Sequence, residues 1–145
     1  MRSGAPAGVM QHNTPMTQPT AAPQVRRYTT SGRSTDTFGR VLVSARDQHI
    51  IVDGPVQNGC PGEAITPAEM FLSGVAACGV ELIQVLAKQS DIPLTKVQAS
   101  IEAFQDPTKQ RREDVSTFTQ VNIDLELRGV SNEQAEDLVT RFKRR

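Results

Sequence analysis

The sequence predicts an α+β protein in which an antiparallel sheet packs on one long central helix. Short segments rich in β-branched residues come before a long apolar segment, and segments of alternating polarity follow it. Two helix-start signals fix where helices begin, so the predicted order is β-β-α-β-β-α. The length of 145 residues suits a single domain with one core.

The first two predicted strands form a hairpin. Residues 40–46 and Gln48–Asp53 are rich in Val and Ile, and Asp47 stands between them. Gly54 and Pro55 end the second strand, and a loop over residues 56–65 follows.

The longest predicted element is a helix over residues 66–89. Thr66 provides the N-cap, Pro67 occupies the first helical position, and Glu69 completes a capping box. The helix is apolar nearly all round, with only a thin polar stripe formed by Ser73, Glu81, Gln84 and Lys88. Such a helix is either buried centrally or packed against a partner chain.

Two amphipathic strands and a second helix complete the prediction. Residues 95–104 and 118–128 alternate apolar and polar side chains, as expected for an antiparallel pair with one solvated face. The joining loop, 105–117, is highly charged. Ser131 and Gln134 form a second capping box, and the apolar spacing that follows predicts an amphipathic helix.

Charge and composition exclude several classes of protein. The net charge is zero, which argues against a nucleic-acid or membrane-surface binder. No run of 18 apolar residues lacks a polar interruption, so we expect no membrane span. Two cysteines are too few for a secreted disulfide scaffold, which favours a reducing compartment and a cytoplasmic location.

Residues 1–27 are expected to be a disordered tail, and residues 28–145 the folded domain. The tail contains four prolines and almost no large apolar side chains. Its arginines and lack of acids are also typical of an organelle transit peptide, but no amphipathic helical pattern supports that alternative.

Cys78 is the most suggestive residue for chemistry. The simplest interpretation is a small, buried apolar side chain, because free cysteines usually behave that way. A reactive cysteine must ionise, and burial disfavours the ionised form. Cys78 lies 12 residues beyond the N-cap, too far to gain from the helix N-terminus. Reactivity therefore requires an imported cation, for which Arg33 and Arg40 are the candidates.

The other candidates have ordinary structural explanations beside the functional ones. Glu69 is explained by the capping box, and its functional alternative is to orient an arginine. Cys60 lies in a Gly-Cys-Pro-Gly turn and is expected to be exposed, either as an incidental thiol or as a partner for Cys78. His12, His49 and the cysteines show no metal-ligand spacing, so no metal or cofactor is expected.

The segment from Thr66 to Cys78 resembles the signature of the OsmC/Ohr family, in which a proline-started helix reaches a cysteine through small and apolar residues. The similarity includes Ile51–Pro55 upstream, and the two alternating strands and Arg128–Val130 downstream. In all, the resemblance covers roughly residues 28–145. Within the family, the sequence resembles the broader OsmC-like proteins rather than the dedicated organic hydroperoxide resistance proteins.

The resemblance implies an intertwined homodimer with two sites at its interface. It also implies cysteine-based reduction of organic or hydrogen peroxides without metal or bound cofactor, as a defence against oxidative or osmotic stress. Cys78 matches the peroxidatic cysteine, Arg33 matches the activating arginine, with Arg40 as the alternative, and Glu69 matches the orienting glutamate.

Two departures from the family pattern stand out. In the dedicated hydroperoxide reductases the glutamate directly follows the proline, whereas here Ala68 holds that position and Glu69 comes next. The second family cysteine would come at about the end of this sequence, so the C-terminal part of the family fold is expected to be missing. Cys60 is the only candidate for a replacement resolving thiol.

The sequence therefore predicts an OsmC-like thiol peroxidase that reduces a small hydroperoxide at Cys78 and is regenerated by an external thiol. Two alternatives stay open: a non-catalytic dimer that binds a small hydrophobic ligand, and a truncated, inactive remnant. No nucleic-acid or membrane partner is expected.

Overall fold

A computed structural model describes residues 25–145. The predicted disordered tail, 1–27, therefore lies almost wholly outside the described residues. Within it, residues 25–27 are exposed and have no regular secondary structure.

A three-stranded antiparallel sheet forms the N-terminal part. Its strands β1 (Ser31–Ser34), β2 (Arg40–Ala45) and β3 (Gln48–Asp53) lie in that order. The predicted hairpin is confirmed, and its turn places Arg46 in the left-handed region at φ 54°. Strand β1 was not predicted, because its four exposed residues carry no apolar alternation and only backbone pairing with β2 holds them.

The second sheet is a long antiparallel pair, β4 (Lys96–Phe104) and β5 (Gln120–Arg128). The expectation of a single sheet is wrong, since no described strand pairing joins the two sheets. The loop after β3 and the long helix separate β3 from β4 in the chain. Both β4 and β5 begin within two residues of the predicted positions.

The two helices, α1 (Pro67–Gln89) and α2 (Asn132–Phe142), begin where their capping boxes predict. Both boxes are complete, with the side chain and backbone of the N-cap residue bonded to the third helical residue. These reciprocal bonds satisfy amide groups that the first turn of a helix leaves without partners.

One core lies between α1, α2 and β4. Its buried members are Ile83, Leu86, Ala87, Val97 and Leu138. Helix α2 approaches α1 closely at Gly79, where an added Cβ would already lie 3.5 Å from the Phe142 ring. The N-terminal sheet meets the rest of the chain chiefly where β3 approaches α1.

Helix α1 is unusually exposed for an apolar helix. It is long and apolar enough to cross a membrane, and only 22% of its most apolar 18-residue segment is buried within the chain. The sequence argument against a span was therefore too strict, because it required an unbroken apolar run. A core helix of a soluble protein passes the same test, and here β4 and α2 cover one side of it.

Candidate functional site

Two stripes of side chains run along α1, one covered and one open. The covered stripe faces β4 and α2 and contains Leu72, Ala76, Gly79, Ile83 and Leu86. The second stripe is offset by one residue and contains Phe71, Val75, Cys78, Leu82 and Val85. We call this second set the exposed stripe. In both, the spacing alternates four and three, the pattern by which helices pack on helices.

The exposed stripe is apolar but largely accessible in the single chain. Phe71 is 63% exposed, and Val75 and Val85 are each 36% exposed. Leu82 is half-buried against the core. Large apolar side chains at helix-packing spacing predict a further packing partner for this side of α1.

Cys78 lies at the centre of the exposed stripe, and its side chain is exposed. The expectation that it is buried within its own chain is wrong. The helix is apolar nearly all round, but β4 and α2 cover one side only, and Cys78 faces away from them. An accessible thiol amid apolar side chains can meet a small apolar reactant.

Arg33 lies on the open side of the N-terminal sheet. The strand register places it opposite Leu42, which lies opposite Ile51, so these three side chains share one face. Val52, the next residue after Ile51, points to the other face and is only 3% exposed. Arg33 is exposed, and within residues 25–145 it forms no hydrogen bond or ion pair with Cys78 or Glu69.

Glu69 is engaged at the start of its own helix. Its Oε2 accepts hydrogen bonds of 2.8 Å from the Thr66 N–H and 2.7 Å from the Thr66 hydroxyl. These two bonds hold the pKa of Glu69 below its ordinary value. The capping explanation is thus confirmed, and within residues 25–145 Glu69 forms no bond with an arginine.

The half-buried Arg40 and the fully buried Asp53 form an ion pair at the end of the hairpin. Arg40 donates from Nε to Oδ1 and from Nη2 to Oδ2 of Asp53, each at 2.8 Å, and also from Nη2 to Glu63 at 2.7 Å. Asp53 is fully buried and accepts two further bonds, from the N–H groups of Glu63 at 3.0 Å and Ala64 at 3.1 Å. Because its hydrogen bonds go to two carboxylates, Arg40 is a poor source of free positive charge for Cys78.

This ion pair strongly shifts the pKa of the carboxyl group. The Arg40 guanidinium lowers the pKa of Asp53 from 3.8 to about 2, and the two loop N–H groups act in the same direction. The pKa of Arg40 is raised by its bonds to Asp53 and Glu63. Both groups are therefore charged at neutral pH.

Cys60 is half-buried rather than exposed, which corrects the sequence expectation. Its sulfur fills the gap between the backbones of Gly39 and Gly54. A Cβ added to Gly54 would lie 2.5 Å from Sγ of Cys60, and one on Gly39 would overlap it. These two backbones are also joined by a 2.8 Å bond from the Gly54 N–H to the Gly39 carbonyl. The position explains Cys60 as a packing residue, and it forms no disulfide with Cys78.

Sequence reasoning did not single out Asp53 or Phe118 as functional candidates. The hairpin register could have indicated Asp53, since it puts a lone acid opposite Arg40 at the end of an apolar strand. Phe118 ends the charged loop and stacks on Phe71, with ring centroids 6.4 Å apart. No local pattern signals that contact, because it joins residues distant in sequence.

A small groove lies on the β4 side of α1. Its volume is about 270 Å³, and Glu69, Leu72, Ser73, Ala76, Ala99 and Ile101 line it. In residues 25–145, no three His, Cys, Asp or Glu side chains lie close enough together to hold a metal ion.

The architecture defines the class as an α+β protein. It has two antiparallel sheets, and the long helix that lies between them in chain order carries the exposed cysteine. A family model described as OsmC-like protein matches residues 60–145. This chain therefore belongs to the OsmC-like family. No curated protein matches the sequence significantly.

Solved structures share the fold. The chain is similar to an OsmC-like protein from Mycoplasma pneumoniae, at 14% identity over 84% of each chain and a TM-score of 0.71. It is similar to an organic hydroperoxide resistance protein OsmC from Legionella pneumophila, at 21% identity over 83% of this chain and 84% of that one, with a TM-score of 0.66. An organic hydroperoxide resistance protein from Elizabethkingia anophelis gives 17% identity over 83% and 84%, with a TM-score of 0.64.

Proposed function

We propose that this protein is a homodimeric, thiol-dependent peroxidase that reduces organic or hydrogen peroxides at Cys78. The observation that carries the proposal is the position of Cys78: an accessible thiol at the centre of an apolar, largely exposed helix stripe. Family membership and structural neighbours that are hydroperoxide resistance proteins support the same chemistry.

The dimer covers two open surfaces at once. One is the exposed stripe of α1, and the other is the open face of the N-terminal sheet, where Ile51 is 40% exposed and shares the face with Leu42 and Arg33. Packing the sheet of one copy over the stripe of its partner removes both apolar surfaces from water. It also brings Arg33 of one copy to the interface that contains Cys78 of the other copy. The two copies are then intertwined.

Arg33 is the arginine that this proposal uses. Arg40 is engaged by Asp53 and Glu63, whereas Arg33 forms no ion pair within the described residues. A guanidinium close to a thiol stabilises the thiolate, which is the nucleophile. In a water-poor seam this attraction is stronger than in bulk solvent.

The reaction is a two-electron transfer. The Cys78 thiolate attacks the terminal peroxide oxygen, an S–O bond forms as the O–O bond breaks, and Cys78 becomes a sulfenic acid. The alkoxide leaves and takes a proton to give the alcohol, or water when the substrate is hydrogen peroxide. One external thiol then forms a mixed disulfide with Cys78, and water is released. A second external thiol attacks this mixed disulfide, which restores the Cys78 thiol and releases a disulfide of the two external thiols.

One experiment tests this proposal directly. The protein is mixed with tert-butyl hydroperoxide, sulfenic acid is trapped with a dimedone probe, and each cysteine is quantified by mass spectrometry. We expect rapid labelling at Cys78 and slow labelling at Cys60. R33Q should slow the labelling of Cys78, whereas R46Q, which removes an exposed arginine at the hairpin turn of the same sheet, should not. Equally slow oxidation of both thiols would contradict peroxidase function.

A non-catalytic dimer is the second candidate, and two observations favour it. Glu69 is bonded to Thr66 rather than to an arginine, and the groove of about 270 Å³ beside it is lined mainly by apolar side chains. This candidate predicts that a small hydrophobic ligand binds equally well to C78S and to the wild type.

A further inference from the structure

We infer that Asp53 is a positioning residue: through Arg40 and the loop N–H groups it fixes the N-terminal sheet on the start of α1, and so sets where Arg33 meets Cys78. The inference rests on the proposed function and names a residue outside the reacting groups. It concerns the placement of a charge, and Asp53 itself touches neither substrate nor sulfur.

Strand β2 and the loop before α1 converge on Asp53. Its carboxylate receives Arg40 from β2 and the N–H groups of Glu63 and Ala64 from the loop before α1. Its own N–H donates to the Ile65 carbonyl at 3.1 Å, immediately before the helix cap. Three hydrogen bonds of this one fully buried residue therefore join the hairpin to the segment before the helix, and two more bind Arg40 within the hairpin.

The N-terminal sheet has few attachments to the other elements. Within residues 25–145 no strand pairing joins it to the other sheet, and it meets the rest of the described chain chiefly where β3 approaches α1. Arg33 lies on the outer strand of that sheet, two strands from Asp53. A small change in angle at the Asp53 junction is therefore carried outward and displaces Arg33 by a larger distance.

The accessibility of the Cys60 thiol reports on whether the junction around Asp53 is intact. The sulfur of Cys60 is wedged between Gly39 and Gly54, which are the chain neighbours of Arg40 and Asp53. When the junction is closed, the Cys60 thiol is half-buried. When it opens, Cys60 becomes accessible, so the two thiols report separately on the junction and on the reacting site.

The test compares D53N with the wild type as full-length protein. Pulses of iodoacetamide across a range of pH, followed by peptide mass spectrometry, give the labelling rates of Cys60 and Cys78. We expect D53N to speed the labelling of Cys60 and to move the pH profile of Cys78 toward higher pH. An upward displacement of about one pH unit lowers the thiolate population about tenfold at pH values below both midpoints. The rate of peroxide-driven oxidation of Cys78, measured at a pH below both midpoints, should fall by the same factor.

Two further variants keep the test decisive. R40K retains the positive charge but cannot reproduce the two parallel bonds to Asp53, so it should give the same changes as D53N. It therefore replaces D53N in the test if that variant does not fold. E126Q removes an acid from an exposed ion pair on the other sheet and should leave both thiols as in the wild type.

The outcomes separate the two proposals. If D53N and R40K expose Cys60 while the Cys78 profile stays in place, Asp53 is a local structural residue and the positioning role is overturned, but the peroxidase is not. If Cys78 of the wild type already labels like a free thiol in water, both proposals fail together.

Discussion

Cys78 and its neighbour Gly79 face different surroundings on the same helix turn: Gly79 is buried against Phe142, whereas Cys78 is exposed. Successive helix residues are rotated by about 100°, so one position separates the covered stripe from the exposed one. The thiol is therefore kept out of the core of its own chain and presented to whatever packs on α1.

The exposed stripe predicts a dimer that one charge can break. V85E would bury a carboxylate without a partner in the seam, at a cost of about 3 kcal/mol or more, and should weaken association at least about a hundredfold. Light scattering coupled to gel filtration should show a wild-type dimer and a V85E monomer. Q84E adds the same charge at an exposed position outside the stripe and should remain dimeric. A monomeric wild type would contradict the packing role of the stripe.

The packing of α2 on α1 predicts a large loss of stability for L138A. Leu138 is fully buried in the core, and truncating such a side chain typically costs about 2–5 kcal/mol. Urea unfolding monitored by circular dichroism should show the transition at a lower midpoint. T140A, an exposed position on the same helix, should change the midpoint little.

The wedge formed by Cys60 predicts coupling between two substitutions. G54A alone should destabilise the protein by about 1–3 kcal/mol, because its new Cβ would lie 2.5 Å from Sγ of Cys60. In a C60A background the sulfur is gone and the cost of G54A should be smaller. A double-mutant cycle measured by denaturant unfolding gives the difference, and strictly additive costs would show that the two residues do not contact each other.

The Arg40–Asp53 pair predicts a specific loss of stability in acid. The pKa of Asp53 is about 2 in the folded protein against an ordinary value of 3.8, so the unfolded state binds more protons between these values. The contribution of the pair is fully present above about pH 4 and is lost as the pH falls toward 2. The thermal unfolding midpoint of the wild type should therefore fall as the pH is lowered through this range. The midpoint of D53N should start lower and fall less. Equal pH dependence in the two proteins would contradict this assignment.

Much of the fold could be predicted because local chemistry dictates it. Thr66 with Glu69 and Ser131 with Gln134 start both helices where expected, and the alternating residues of β4 and β5 form the pair expected of them. Strand β1 was missed because backbone pairing, rather than side-chain pattern, defines it.

The site was harder to predict because it depends on which side of a helix is covered. Cys78 looked buried since α1 is apolar nearly all round, and only the packing of β4 and α2 reveals that it faces outward. The resemblance matched Arg33 to the activating arginine and left Arg40 as the alternative, and the bonds of Arg40 to Asp53 now separate the two. Such relationships arise between residues far apart in the chain.

The most direct test is the pH dependence of Cys78 alkylation in the wild-type protein, with R33Q and R46Q measured in parallel. We expect half-maximal reactivity at a lower pH than that of a small thiol in water for the wild type and R46Q, and a displacement toward the small thiol in R33Q alone. A wild-type profile that matches that of a small thiol in water, unchanged by R33Q, would contradict this expectation.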